Sequence, residues 1–117
     1  MLGFLRVCVR LLSWTAMWNQ LIIHSKTKKT FIFNDDIKIA PTFRVQLEKS
    51  NILKEKCALI NSSWSHFLIS KEMIKFNGWF DERFPGVGYE DQDYEIRLTL
   101  NGFKIKNFEV IGLKNLV

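Results

Sequence analysis

Two groups of acidic residues have the types and spacing to do chemistry in this chain. Asn34, Asp35 and Asp36 follow the apolar run FIF, and Glu90, Asp91 and Asp93 fall within four positions just after GVG. Carboxylates delivered together at a strand end are hard oxygen ligands for Mg2+ or Mn2+. Such ions need only one or two protein carboxylates and keep their other positions for water and substrate phosphates. Asn and Asp in that place are equally plain turn formers. The second group has the same duality. Glu90 and Asp91 can cap the following helix, where free backbone amides attract negative charge. They also end FDERFPGVGYED, residues 80 to 91, a loop with rings to stack on a sugar, glycines to let backbone approach it, and carboxylates for its hydroxyls. An Asp within reach of such a hydroxyl suits a general base.

The elements that must position these groups follow from periodicity. Thr30 to Phe33 is aromatic and β-branched and reads as a short buried strand running into Asn34. Before it, Ser13 can cap a helix on which Trp14, Met17, Trp18, Leu21 and Ile22 share one face. Earlier still, Leu5, Val7, Val9 and Leu11 alternate with Arg6, Cys8 and Arg10 at the period of a strand. A second helix is expected from about Thr42 to Leu53, with Phe43, Val45, Leu47 and Ile52 available for burial. CALINSS and HFLIS are short strand candidates. Ser70 should cap a brief helix over KEMIKF that Asn77-Gly78 terminates, since glycine tolerates positive φ. The acidic group opens a last helix, Asp91 to Leu100, which Asn101-Gly102 ends, and FKIKNFEVIGL is a closing strand region. Helices alternating with strands predict a single α/β layered domain.

Composition bounds the rest. A chain of 117 residues supports one modest core, and ten Phe and four Trp supply large side chains to fill it. The net charge of +5 suits an anionic small molecule, an anionic membrane surface or a nucleic acid. No nucleic-acid recognition motif is present, so none is expected as a partner. Cys8 and Cys57 have neither metal-ligand spacing nor disulfide density, which implies buried thiols in a reduced, cytoplasmic setting. Residues 1 to 12 resemble a signal peptide only until Arg6 and Arg10 interrupt the apolar run. That basic, apolar start instead suggests peripheral membrane association. His24 and His66 read as surface or packing residues.

Together the two acidic groups resemble a known family. FIFNDDIKI, followed about fifty residues later by FNGWFDERFPGVGYEDQDYEIRLTLNGFKI, is similar to the second half of a GT-A-type, family-2-like nucleotide-sugar glycosyltransferase, and its closing segment to the galactosyltransferase C-terminal domain. The matching positions are Gly78, Trp79, Phe80, Asp81, Glu82, Gly86, Gly88, Glu90, Asp91, Asp93, Tyr94, Arg97, Leu98 and Gly102, with Trp18 and Asn19 at the family's usual Trp-Asn step. The likeness spans about residues 14 to 107. It implies a partial GT-A domain, a mixed sheet flanked by helices, with the N-terminal nucleotide-binding half largely missing. It further implies that Asp36, then Asp35, binds Mn2+ or Mg2+ at the diphosphate of a nucleotide-sugar donor. Asp91 would be the base that deprotonates the hydroxyl of a glycan acceptor as it attacks and inverts the anomeric carbon. Glu90, Trp79, Asp93 and Gly88 would line the acceptor side, and a partner chain would supply the donor half. Read from helical spacing alone, Arg97 is placed to brace the acidic loop from one turn along the helix. The rival reading is a non-catalytic remnant that binds carbohydrate or a partner chain.

Overall fold

The computed structural model describes residues 14–34, 37–83 and 90–115. The strand expected over Leu5 to Leu11, and Cys8 within it, lie outside the described residues. The first helix is α1 (Trp14–His24), which buries Trp18 and Ile22 as the spacing requires. Its buried surface is wider than that stripe, because Thr15, Ala16 and Asn19 are buried too. Strand β1 (Lys29–Phe33) follows and ends where the acidic segment begins. Next comes β2 (Ile37–Ile39), three residues that are too few to show a period in the sequence.

The second helix is shorter than its expected span. Helix α2 (Phe43–Lys49) stops at Ser50 because Asn51 turns left-handed, φ 67°, and a 3₁₀ turn over Ile52–Lys54 succeeds it. Phe43, Leu47 and Ile52 are buried as expected, whereas Val45 points outward and is 51% exposed. Strands β3 (Cys57–Ile60) and β4 (Ser63–Ser70) then form a hairpin. Asn61 and Ser62 both take positive φ, the backbone of a two-residue turn whose twist matches its strands. This hairpin makes β4 longer than the HFLIS segment.

Ser70 caps α3 (Lys71–Asn77) by accepting a hydrogen bond from the Met73 amide at 3.0 Å. Gly78, at φ 90°, ends that helix, and α4 (Glu90–Leu100) is closed by Gly102 at φ 80°. The closing strand region divides into β5 (Lys106–Phe108) and β6 (Leu113–Asn115), which join different sheets.

The main sheet has the order β1-β4-β3-β5, antiparallel except for the parallel β3–β5 pair, and β2 and β6 form a separate antiparallel ribbon. Alternation along the strands divides the core in two. Ile32, Cys57, Leu59, Phe67 and Ile69 face a layer built from α1, α3 and α4. Ala58, Ile60 and Leu68 face Phe43, Leu47 and Ile52 on the other side. The protein is therefore an α/β fold with a mixed sheet and helices on both faces. No helix among the described residues is long and apolar enough to cross a membrane.

Candidate functional site

The segment that carries Trp79 and Phe80 is held by two side chains from different helices. On α1, Asn19 is 2% exposed and acts as a polar clamp on Phe80. Its Nδ2 donates to the Phe80 carbonyl at 2.9 Å, and its Oδ1 accepts from the Phe80 amide at 3.1 Å. The same Nδ2 donates to Glu82 Oε2 at 2.9 Å. Satisfying both backbone groups of one residue fixes an otherwise irregular stretch, since buried amides and carbonyls need partners. The residue before Asn19 completes the grip: Trp18 meets the Phe80 ring edge-on, centroids 5.0 Å apart. Phe80 in turn stacks on Tyr94 of α4, centroids 4.0 Å apart.

From the other side comes Arg97. Its Nη1 donates to the Asn77 carbonyl and its Nη2 to the Trp79 carbonyl, both at 2.9 Å. It is also ion-paired with Asp93 one turn back on α4, at 3.1 Å. A planar guanidinium with fixed donors can hold these three acceptors at once. Tyr94 adds a hydrogen bond from its hydroxyl to the Gly78 carbonyl at 2.9 Å. At the edge of the segment, Asp81 is bound by Arg83, whose hydrogen bonds hold its carboxyl down at about 2. Burial pushes the Tyr94 phenol well above its ordinary value.

These contacts place some of the expected site residues and not others. Trp79 and Asp93 are brought together by Arg97, and the Trp79 side is 45% exposed. Asp93 is engaged by that arginine, so its carboxylate supports the segment as well as facing solvent. Glu90 and Asp91 are the first two residues of α4, the helix start expected of them. Asp35, Asp36 and Gly88 lie outside the described residues. Arg97 pairs with Asp93 one turn away as the spacing implies, and its other bonds go to the Asn77 and Trp79 carbonyls, ahead of loop residues 84 to 89, which lie outside the described residues. What Asn19 does has two signals in the sequence: an amide side chain set among the apolar residues of α1, and its place in the Trp18-Asn19 step.

The start of the NDD segment is fixed by β1. Phe33 pairs with His66 across the sheet, and the Asn34 amide donates to the Ser65 carbonyl at 2.8 Å. The chain therefore leaves the sheet at the carboxyl end of β1, an edge strand that pairs antiparallel with β4. As a donor set, Asp35 and Asp36 fit a hard divalent cation, with two carboxylates in sequence at a strand end. Among the described residues no group of three His, Cys, Asp or Glu is placed to hold a metal ion. His66 is 3% exposed and its Nδ1 has no hydrogen-bond partner, while His24 is exposed. On the α2 face of the sheet a cleft of about 300 Å³ opens between Phe31, Phe33, Phe43 and Ile39. Its one charged wall, Arg44, is paired with Glu48.

Comparison with protein-family models, with curated proteins and with solved structures found no match to this chain.

Proposed function

We propose that this chain carries the metal- and acceptor-binding part of a GT-A-type, family-2-like glycosyltransferase. The reaction is transfer of a sugar from a nucleotide sugar to a hydroxyl of a glycan or related acceptor, with inversion at the anomeric carbon. The observation that carries this reading is the double clamp on residues 77 to 82: Asn19 from α1 holds Phe80, and Arg97 from α4 ties the Trp79 carbonyl to Asp93 of the acidic helix, leaving Trp79 half exposed. An exposed aromatic on a fixed backbone suits a sugar ring, with little entropy lost on binding.

In this reading Asp91 takes the proton of the acceptor hydroxyl as attack proceeds, and Glu90 orients that hydroxyl. Trp79 stacks against the acceptor and Gly88 lets the backbone approach it. Arg97 acts through the loop, positioning Trp79 without touching substrate. Asp36 and Asp35 would hold Mn2+ or Mg2+ for the diphosphate of the donor, the part of the nucleotide that this chain itself binds. When bound, the cation supplies neutralisation of charge on the departing diphosphate.

Thermal unfolding with Mn2+ and UDP or GDP tests the donor side: the melting temperature should rise, and Asp36→Ala should abolish the rise. Absence of a shift with either nucleotide in the parent protein refutes the donor assignment. Binding of simple sugars that Trp79→Ala removes, with no nucleotide effect, would instead establish a carbohydrate-binding module. On the acceptor side, turnover lost in Asp91→Asn with nucleotide binding retained assigns the base, and unchanged turnover removes Asp91 from that role.

A further inference from the structure

The end of the sheet opposite the NDD segment is rich in lysines. Four contacts bring them together from separate parts of the chain. The Ser70 amide donates to the Lys56 carbonyl at 2.8 Å, and the Lys71 amide to the Lys28 carbonyl at 2.9 Å. Lys71 Nζ donates to the Ser25 carbonyl at 2.8 Å, and Lys29 Nζ to the Leu53 carbonyl. The end of α1, the start of β1, the 3₁₀ turn, the start of β3 and the start of α3 therefore share one surface. Lys26, Lys28, Lys54, Lys56, Lys71 and Lys75 are exposed there.

The acids on this surface are already engaged. Glu72 pairs with Lys56 at 3.1 Å and Glu55 with Lys106 at 2.9 Å. Lys26, Lys28, Lys54 and Lys75 have no carboxylate partner among the described residues. Large apolar side chains stand among them. Ile23 in the last turn of α1 is 53% exposed, and Leu53 in the 3₁₀ turn is 37% exposed.

We infer that this lysine end is a docking surface for an anionic lipid bilayer. Charge alone would suit any polyanion, but the interleaved Ile23 and Leu53 favour a partner with an apolar layer beneath its charged one. A nucleic acid would ask for stacking rings in a basic groove, whereas the exposed apolar groups here, Ile23 and Leu53, carry none. The surface is independent of the proposed sugar transfer, since it shares no residue with that site.

Sedimentation of the intact chain with vesicles tests this. Vesicles of phosphatidylcholine with about 30 mol% phosphatidylglycerol should pellet the protein, and phosphatidylcholine alone should not. The triple variant Lys26→Gln, Lys28→Gln, Lys54→Gln should bind the anionic vesicles roughly a hundredfold more weakly, at about fivefold per lysine. These three side chains are exposed and without a carboxylate partner among the described residues, and an unchanged melting temperature will show that the variant folds. The double variant Ile23→Ser, Leu53→Ser should also bind the vesicles more weakly while eluting from heparin like the parent, because heparin offers charge and no apolar layer. Failure of the parent to pellet with anionic vesicles overturns the inference, as does equal pelleting of parent and triple variant. Vesicle binding unaffected by the apolar double variant overturns it in favour of a soluble polyanion. Tighter binding to an oligonucleotide of about 30 nucleotides than to the vesicles overturns it in favour of nucleic acid.

Discussion

Replacing Asn19 by alanine removes the polar clamp while sparing the aromatic packing beside it. In the native protein the Asn19 amide satisfies the Phe80 carbonyl and the Phe80 amide, and Phe80 is 2% exposed. Both backbone groups would be left without a partner in a dry environment. At about 1 to 1.5 kcal/mol for each orphaned group, Asn19→Ala should destabilise the protein by about 2 to 3 kcal/mol. The third bond, to Glu82, adds little because Glu82 is exposed and water can replace its partner. Glu82→Gln should therefore cost less than about 0.5 kcal/mol and serves as the control. In thermal unfolding the alanine variant should melt about 10 °C below the parent. Urea unfolding at unchanged m-value distinguishes lost stability from a changed unfolded state. A loss in Asn19→Ala no larger than in Glu82→Gln would refute the reasoning, because the two buried backbone bonds would then contribute nothing.

Arg97→Ala should destabilise by about 2 kcal/mol and quicken proteolysis within residues 77 to 83, as two carbonyls and Asp93 lose a charged donor. Arg97→Lys should not restore protection, because one ammonium cannot span all three acceptors. Ser70→Ala should cost about 1 kcal/mol in chemical unfolding, the usual loss for removing a helix cap. Burial pushes the Cys57 thiol up to about 12 from an ordinary value of 9.0. A raised folded pKa means that its contribution to stability is complete below about pH 9 and is lost as pH climbs towards about 12. Tyr94, also raised by burial, acts in the same direction, so unfolding midpoints should fall steadily above pH 9. Native Cys57 should also resist thiol reagents at pH 8 and react only on unfolding.

Local signals in the sequence locate much of this fold and less of its joinery. Ser70, Gly78 and Gly102 act at the element ends where their types imply, because caps and positive-φ stops are decided within a few residues. The α2 boundary is misjudged from its pattern: Ile52 is buried as a helical residue would be, but Asn51 has already broken the helix. Strands β2 and β6 are each three residues long, and their pairing joins positions more than seventy residues apart. No local period can reveal such a pair. The clamp is hidden for a related reason. Asn19 and Phe80 are 61 residues apart, and only the fold shows that one amide serves both backbone groups of the other. Arg97 is more legible, because its partner Asp93 lies one helical turn away.

The two ends of the helical layer are mechanically joined. Helix α1 carries Asn19 at the clamp, and the Ser25 carbonyl just past its end accepts from Lys71. Helix α3 runs the opposite way, with Lys71 at the lysine surface and Asn77 at the segment held by Arg97. In each case six residues separate the two contacts, a strut of about 9 Å at the helical rise. Trp18, Ile22, Met73 and Ile74 press both struts onto one core, so neither can tilt without opening it. The lysine surface and the clamped segment thus sit at opposite ends of the same two helices, so the backbone of residues 77 to 80 is braced from a core shared with the far end of the sheet.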